Sequence, residues 1–285
     1  MKPILQVSGL TKRYGPGCPE CLRRTGALHE TNQCPHCRSI IACREITFDL
    51  FPGEVLGIVG ESGSGKSTVV RLLHFDDEPT QGEFRIKLNG SAGAACNPDP
   101  GRNLFALGAF ERRQIRNAHM GIVYQNARMG LRLKVSAGGN IAERLLMAGW
   151  RHVGQMRQRA AELLIATEVP VLRIDEPPQH FSGGMQQRVQ IAKALSTRPA
   201  VLLLDEVTTG LDVSVQARVL DLIRSLQQET GVATIVVSHD LGVIRLLTSR
   251  TIVMRHGCIV EQGLSDQILE DPQHPYTQLL VNSML

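Results

Sequence analysis

The chain has 285 residues, of which 42% are hydrophobic and 20% are charged, and its formal net charge is +4. This length supports one large or two small domains with a substantial core. The small charge and the mixing of acidic with basic residues leave no basic stripe, which argues against nucleic-acid binding. Because the first residues lack a long apolar segment and no membrane-length apolar run occurs, we expect a cytoplasmic protein that does not span a membrane.

The chain opens with a predicted strand from Ile4 to Leu10, followed by a predicted turn from Thr11 to Gly15. Tyr14 lies in this turn. Its ring is suited to stacking on an adenine base, but a lone aromatic beside a turn is more often a packing residue. The pattern by itself leaves both interpretations open.

The stretch from Gly17 to Cys43 differs in composition, because it contains two C-P-x-C pairs separated by twelve residues. The cysteines of the two pairs are Cys18, Cys21, Cys34 and Cys37. Two such pairs can present four thiolates tetrahedrally, as structural zinc requires, and a closed set of four ligands leaves no position for a substrate. We therefore predict a zinc-binding structural or docking module.

Two alternatives to zinc remain, namely a disulfide pair, which a reducing compartment disfavours, and a chance cluster of cysteines. Three further residues lie close enough in sequence to replace one ligand: His29, His36 and Cys43.

An eight-residue stretch fits the pattern G-x-x-x-x-G-K-[ST] and lies between a predicted strand, Glu54 to Val59, and a helix that opens at Lys66. Its residues are Gly60, Glu61, Ser62, Gly63, Ser64, Gly65, Lys66 and Ser67. The glycines let successive backbone N–H groups face a phosphate chain, and the helix N-terminus adds its positive dipole end. Lys66 is expected to neutralise the β- and γ-phosphates, and the Ser67 hydroxyl to bind Mg²⁺.

Apolar periodicity and turn residues predict the elements of the middle of the chain. The predicted strands are Thr47–Leu50, Phe84–Leu88 and Met120–Tyr124, the last ending at Gln125, and the predicted helical segments are Phe110–Asn117 and Val135–Ala166. The Gly- and Ala-rich stretch from Asn89 to Arg102 predicts a surface loop, and three prolines interrupt Glu168 to Gln179.

A continuous apolar run from Val201 to Glu206 ends in two carboxylates, which is the form of a buried parallel strand. In a chain that also carries a phosphate loop, Asp205 would hold Mg²⁺ through water and Glu206 would polarise the attacking water. A surface pair of acids at a strand end is the alternative, but the run lacks the polar alternation of an exposed strand.

Two further patterns flank this strand. Ser182, before Gly183 and Gly184, is placed as the N-cap of a helix through Thr197. The apolar run Ala233 to Val237 predicts a strand that ends just before His239, which by itself could be an ordinary strand-end histidine.

Taken together and in this order, these motifs resemble the ATP-binding cassette (ABC) ATPase family over nearly all of the chain except the cysteine insert. The matching residues are Tyr14 at the adenine-stacking position, Gly60 to Ser67 with Thr68 as the phosphate loop, Gln125 as the Q-loop glutamine, Ser182, Gly183 and Gly184 as the signature, Asp205 and Glu206 as the carboxylates, Thr209 to Asp212 as the D-loop and His239 as the switch histidine. The resemblance implies an α/β fold of the P-loop NTPase type with an antiparallel β subdomain and a helical signature subdomain. The cysteines add a small zinc-ribbon-like insert to this fold.

The resemblance also implies ATP hydrolysis with bound Mg²⁺ in a homodimer, in which the signature of one protomer covers ATP held by the phosphate loop of the other. The implied catalytic residues are Lys66, Gln125, Glu206 and His239, and the implied Mg²⁺ ligands are Ser67, Gln125 and Asp205. We expect a single ATPase domain over 1–285 with the insert at 17–43, a helical subdomain at 135–180 and a C-terminal extension at 264–285.

Two branches of the family match different segments. The tail from His274 to Leu280 is similar to oligopeptide and dipeptide importer ATPases, whereas Asn126–Arg132, Val135–Ile141 and Val213–Arg218 resemble the ATP-binding subunit of the phosphonate carbon–phosphorus lyase system. We therefore predict an ATPase subunit that docks on the core subunits of such a lyase.

Two other functions compete with this prediction. One is the motor of a peptide or nickel importer, bound to a permease at the inner membrane. The other is a zinc-dependent interaction protein that binds ATP without turnover. In each case we expect the nucleotide chemistry to survive removal of the metal, because the cysteine insert is not needed for the ATPase fold.

Overall fold

The computed structural model describes residues 2–87 and 101–283, and the chain divides into two compact units. Unit 1 contains the described residues 2–87, 101–112 and 235–283, and unit 2 contains 113–234. Most of the predicted loop from Asn89 to Arg102 and the end of the predicted C-terminal extension lie outside the described residues. The predicted domain boundaries stay predictions.

The elements are named here in chain order. The strands are β1 (Leu5–Tyr14), β2 (Ile40–Leu50), β3 (Val55–Val59), β4 (Gln81–Ile86), β5 (Met120–Val123), β6 (Val201–Asp205), β7 (Ala233–Val237), β8 (Arg250–Arg255) and β9 (Cys258–Leu264). The α-helices are α1 (Lys66–Leu73), α2 (Ala109–His119), α3 (Ala127–Gly130), α4 (Ala137–Met147), α5 (Val153–Ala166), α6 (Gly183–Leu195), α7 (Val213–Thr230), α8 (Leu241–Leu247), α9 (Ser265–Glu270) and α10 (Pro275–Asn282). Strand β7 crosses the boundary between the units.

Unit 1 contains an antiparallel sheet in the order β2-β1-β4. The register pairs Leu5 with Leu50 on one side and with Ile86 on the other, and all three side chains are buried. Burial of this apolar face stabilises the sheet, since each fully buried Leu or Ile contributes about 1.5–3 kcal/mol. The antiparallel part of the predicted fold is therefore confirmed.

Two predicted boundaries in this sheet are wrong. The predicted turn from Thr11 to Gly15 is the second half of β1, because β2 supplies hydrogen-bonding partners as far as Tyr14, which pairs with Ile40. Strand β2 begins at Ile40 and not at Thr47, so it is seven residues longer at its start than predicted. Register shifts within β1 accommodate this length and explain why no simple alternation marks it in the sequence.

Unit 1 also contains the strand that leads into the phosphate loop. Strands β7, β3, β8 and β9 are neighbours in that order, with β3 and β8 parallel and β8 and β9 antiparallel. Four of the five residues of β3 are buried, as expected for a strand covered on both faces. The carboxyl end of β3 delivers the chain into the turn before α1.

In unit 2, β5 and β6 are parallel neighbours. Helices α4, α5 and α6 pack against one another. The first two lie within the predicted helical stretch, and the proline-interrupted segment after α5 contains two short 3₁₀ turns. The α/β fold class is confirmed.

Among the described residues, no helix is both long enough and apolar enough to cross a membrane.

Candidate functional site

The phosphate loop in unit 1 is folded around its own lysine. Lys66 begins α1, its side chain is buried, and its ammonium group donates hydrogen bonds to the carbonyl oxygens of Gly60 at 2.7 Å and Glu61 at 2.8 Å. No side chain caps the N-terminus of α1, where Gly65 is the N-cap. A buried cation beside an uncapped helix N-terminus is an arrangement that attracts a polyphosphate.

Two glycines of the loop are required by close packing. A Cβ atom at Gly65, where φ is 104°, would overlap the carbonyl oxygen of Ala42 on β2. A Cβ atom at Gly60 would overlap the carbonyl oxygen of Met254 on β8. At both positions only a glycine combines the backbone angle with the available space.

The loop has an anchor that sequence reasoning missed. The Glu61 N–H donates a hydrogen bond of 3.0 Å to the hydroxyl of Tyr276, which is buried on α10. The guanidinium of Arg255 lies 4.9 Å from the centre of the Tyr276 ring. The pattern His-Pro-Tyr in the tail was available as a signal, but it identified a family branch and not a contact.

Tyr14, the predicted adenine-stacking residue, lies at the end of β1 and is partly exposed. Its hydroxyl donates a 2.5 Å hydrogen bond to Asp77, whose other oxygen accepts one of 2.6 Å from Lys12. Burial, together with this hydrogen bond, raises the pKa of Tyr14 to about 12, whereas Lys12 and Tyr14 lower the pKa of Asp77. The ring is therefore held in one orientation, with its hydroxyl neutral.

His239, the predicted switch histidine, follows β7 in unit 1 and is exposed. Its neighbours fix the turn around it. The hydroxyl of Ser238 accepts a 3.0 Å hydrogen bond from the Asp240 N–H, and the Asp240 carboxylate caps α8 by accepting from Gly242 at 2.8 Å. The capped turn presents the imidazole at the end of the strand.

In unit 2, β6 ends with the two predicted carboxylates. All five residues of β6 are buried, including Asp205, and Glu206 follows with a left-handed φ of 50°. The Glu206 carboxylate accepts hydrogen bonds from the Gln125 amide at 3.1 Å and from the Thr209 hydroxyl at 3.4 Å. The structure thus brings Gln125 and Glu206 together, as a pair of water-orienting groups requires.

Gln190 on α6 is a second residue that sequence reasoning missed. Its side-chain amide accepts a hydrogen bond from the Tyr124 N–H at 3.2 Å and donates one of 2.9 Å to the Tyr124 carbonyl. The two bonds engage both the N–H and the carbonyl of the residue just before Gln125. Gln190 is almost completely buried. Gln190 therefore fixes the backbone position from which the Gln125 side chain extends.

The signature residues begin α6. Ser182 is the N-cap, as predicted, and its hydroxyl accepts from the Met185 N–H at 3.4 Å. Ser182 and Gly183 are exposed, while Gly184 is buried where a Cβ atom would come within 2.5 Å of Val215. The exposed N-terminus of α6 is thus available to a ligand outside unit 2.

The four cysteines of the C-P-x-C pairs form a cluster in unit 1 in which all Sγ atoms lie within 4.8 Å of one another. Three of the Sγ–Sγ distances are 3.3, 3.6 and 3.7 Å. A tetrahedral site with Zn–S bonds of about 2.3 Å requires about 3.8 Å between sulfurs. The thiols are free, and His29, His36 and Cys43 are not part of the cluster.

The backbone around the cluster is folded into tight turns. The Cys18 N–H donates to the Cys21 sulfur at 3.1 Å, and the Arg38 N–H donates to the Cys34 carbonyl at 2.9 Å. Hydrogen bonding with Ser39 lowers the pKa of Cys37 to about 6, whereas burial raises the pKa of Cys18 and raises that of Cys21 to about 12. It is the spacing of the four sulfurs that fits a four-thiolate metal site.

Comparison with known proteins agrees with this geometry. Residues 43–209 match the family model of the ABC transporter ATP-binding domain. The chain is 45% identical over 284 residues to a putative phosphonates utilization ATP-binding protein, PhnK, of Escherichia coli (strain K12), covering 100% of this chain and 98% of that protein. It is 39% identical over 248 residues to a putative peptide import ATP-binding protein of Brucella abortus (strain 2308), covering 86% of this chain and 72% of that protein.

A solved structure gives the same result for the fold. The dimeric post-hydrolysis state of the ATP-binding cassette MJ0796, bound to ADP and Pi, superposes with a TM-score of 0.74 at 27% identity, covering 92% of this chain and 98% of that one. The predicted ATP hydrolysis is therefore confirmed, and binding without turnover is not retained. The family match covers more than half of the chain, so this chain belongs to the ATP-binding cassette ATPases of the ABC transporter family.

Proposed function

We propose that this chain is the ATP-hydrolysing subunit of a phosphonate carbon–phosphorus lyase system and that it works as a dimer docked on the lyase core. The observation that carries the proposal is the 45% identity to a phosphonates utilization protein over the full length of both chains. The peptide import relatives match at 39% and over less of the chain, and they support an importer motor as the second candidate.

A buried side chain fixes the surface segment after Gln125. Asn140 on α4 is fully buried, and its amide donates hydrogen bonds to the carbonyls of Arg132, Val135 and Ser136, while its oxygen accepts from the Arg132 N–H at 2.8 Å. These bonds fix the turn between α3 and α4. The same turn follows the stretch by which the sequence resembles the lyase subunit.

Met129 is the most exposed apolar side chain of this segment, with 67% of its surface exposed, compared with 39% for Val135. We infer that the lyase core covers it, because a flexible thioether on a rigid turn suits an interface. Met129→Asp should abolish co-purification while ATP binding persists. Leu172→Asp, at a side chain that is 96% exposed elsewhere in unit 2, serves as the control and should leave docking unchanged.

The assignment is tested by affinity purification of the tagged chain from cells grown with a phosphonate as phosphorus source. Co-purification of carbon–phosphorus lyase subunits is the expected result. Recovery of membrane permeases instead would contradict the proposal and establish the importer reading.

Within this function we assign the chemistry residue by residue. The phosphate loop binds ATP, with Tyr14 beneath the adenine and Lys66 on the phosphates, and Glu206 polarises the attacking water. Ser67, Gln125 and Asp205 provide the oxygen donors that Mg²⁺ prefers, and bound Mg²⁺ supplies neutralisation of the phosphate charge. Ser182, Gly183 and Gly184 of one protomer cover the ATP of the other, and His239 contacts the γ-phosphate side.

Glu206→Gln tests this assignment. Loss of a positioned base costs about 10²- to 10⁴-fold in turnover, and the variant should still bind ATP and accumulate as a dimer on size exclusion. Glu229→Gln, at an exposed acid on α7, is the matched control. Turnover at the wild-type rate in Glu206→Gln would remove Glu206 from the mechanism.

We further infer that Cys18, Cys21, Cys34 and Cys37 hold one structural zinc ion per chain. The sulfur distances described above support this. Protein purified without added zinc should contain about one equivalent of zinc by mass spectrometry. Less than about a tenth of an equivalent, together with rapid alkylation of Cys18 and Cys37 in the folded protein, would contradict it.

The free thiols and the use of ATP both suit the cytoplasm, where we place the assembly.

A further inference from the structure

The cysteine module, defined here as residues 17–39, touches the phosphate loop directly. The side-chain amide of Asn32 donates a hydrogen bond of 3.2 Å to the carbonyl oxygen of Gly63. Asn32 stands two residues before Cys34, and its own carbonyl accepts from the Ile41 N–H at 2.7 Å. The position of this amide is therefore set by the fold of the module.

A second contact reaches the loop through two intermediate side chains. Glu30 in the module forms an ion pair of 3.0 Å with Arg255 on β8. Arg255 lies over the ring of Tyr276, whose hydroxyl accepts the hydrogen bond from the Glu61 N–H. The ion pair is half exposed and contributes little by itself, but it holds the guanidinium over the ring.

A third contact runs through the backbone. The guanidinium of Arg44 donates to two module carbonyls, Leu22 at 2.6 Å and Thr25 at 3.2 Å. The Arg44 N–H donates to the Gly257 carbonyl at 2.7 Å, and the Gly257 N–H donates to the Ser64 carbonyl at 3.0 Å. Three separate groups of the phosphate loop are thus tied to the module.

The apolar core of the module is small. Its apolar cluster consists of Cys21, Cys34 and Ile41 with a few half-buried neighbours, so two of its three buried members are themselves thiol ligands. A segment of this length with so small a core depends on a metal or cross-links for its order. Loss of the metal would therefore release Asn32 and the other contacts from the loop.

We propose that the metal-loaded cysteine module positions the phosphate loop for ATP, with Asn32 as the positioning residue. The proposal rests on the zinc site inferred above and replaces the expectation that nucleotide chemistry is independent of the insert. When the metal leaves, fewer molecules hold the loop in its binding conformation, and the apparent affinity for ATP falls by that fraction. Because coupling is reciprocal, bound ATP must also slow the loss of the metal.

Asn32→Ala isolates the direct contact, since it keeps all four thiolates. In a Glu206→Gln background, titration with a fluorescent ATP analogue should give a Kd about three- to tenfold higher, as expected for one lost hydrogen bond. Zinc content should stay at the wild-type value. In the chain with Glu206 intact, the KM for ATP should rise while kcat at saturation is unchanged, because Asn32 positions the loop and does not touch the reacting atoms. Arg23→Ala, at an exposed side chain in the same module, is the matched control and should change neither value.

Removal of the metal tests the coupling itself. The full chain is stripped with a zinc-selective chelator, exchanged into buffer with fresh Mg²⁺, and titrated with the same analogue. About tenfold weaker binding, restored by added zinc, is expected. In the reverse experiment, saturating ATP should slow zinc transfer to a chromogenic chelator, and Asn32→Ala should remove most of that protection.

The outcomes separate this inference from the zinc site on which it rests. If zinc is present but Kd is the same with and without it, and Asn32→Ala binds as wild type, the positioning role is wrong and the zinc site stands. If the chain as purified holds no zinc and takes none up, both are wrong.

Discussion

The phosphate loop and the cysteine module are neighbouring sites in unit 1 that keep their shape by different means. The loop is a continuous stretch between β3 and α1, with Lys66 bound to its own carbonyls and Gly65 packed against Ala42. The loop therefore has its shape before ATP binds.

The module is the opposite case. Its four cysteines come from two pairs separated by twelve residues, and its buried core is small and consists mostly of these cysteines. A site of this kind folds when the metal binds, and binding and local order are one event. A ligand site built from backbone is thus preformed, whereas a site built from side chains on a short insert depends on its ligand for order. Variants in the phosphate loop and in the cysteine module should therefore have different effects.

Lys66→Ala should have the largest effect and should leave the module intact. Hydrogen bonds to a charged group are worth about 1.5–3 kcal/mol each, so ATP affinity should fall about 10- to 100-fold. Equilibrium binding of a fluorescent ATP analogue gives the affinity, and zinc content should be unchanged. ATP binding at the wild-type affinity would show that the phosphate loop is misassigned.

A pair of glycine variants tests whether the loop is preformed by packing. Gly63→Ala meets no atom within 4 Å and carries only the strain of a φ of 81°. Gly65→Ala carries similar strain and also overlaps Ala42 on β2. The free energy of unfolding should therefore fall further for Gly65→Ala, by about 1–3 kcal/mol, in urea titrations. Equal losses would mean that β2 does not hold the loop.

Cys34→Ser should break the module and spare the rest of unit 1. The variant should lose its zinc and become sensitive to trypsin at Arg23, Arg24 and Arg38, while the main thermal transition shifts by only a few degrees. ATP affinity should fall about tenfold, because the lost contacts leave a smaller fraction of molecules with the phosphate loop in its binding conformation. A loss of the whole fold would contradict the contrast drawn between the two sites.

Asp77→Asn should have the smallest effect on ATP affinity, because Asp77 contacts neither the phosphate loop nor the cysteine module. The Tyr14 hydroxyl loses a charged acceptor, so ATP affinity should change by no more than about threefold. The pKa of Tyr14 should fall from about 12 but stay above its usual value of 10.0, since burial is the larger cause. Ultraviolet pH titration against Tyr14→Phe measures this.

The sign of the pH effect follows from the same residue. The pKa of Tyr14 is raised on folding, so its contribution to stability is complete below pH 10 and is lost as the pH rises towards 12. In Asp77→Asn the loss should begin at the same pH, near 10, but it should end at a lower pH and be smaller in total.

Much of the candidate site follows from local patterns in the sequence. The phosphate loop, the buried run that ends in Asp205 and Glu206, and the Ser182 cap were predicted where the structure has them, because each is fixed by residues within one turn or strand. The close approach of the four cysteines was predicted from the spacing within and between the two C-P-x-C pairs. The helix α7 and the β8–β9 hairpin were not predicted, as their amphipathic patterns carry no chemical motif to draw attention to them.

The sequence by itself determined which residues carry the chemistry, because backbone angles, caps and ligand spacings act over a few residues. Only the tertiary structure decided which contacts support these residues. Strand β1 continues to Tyr14, and the Gln190 side chain forms hydrogen bonds with the backbone of Tyr124. The Tyr276 hydroxyl accepts a hydrogen bond from the Glu61 N–H, and the Asn32 amide donates one to the Gly63 carbonyl. These contacts join residues up to 215 positions apart through single side chains. A single long-range hydrogen bond leaves no period or spacing in the chain, and it forms only after the elements that carry its two ends have packed.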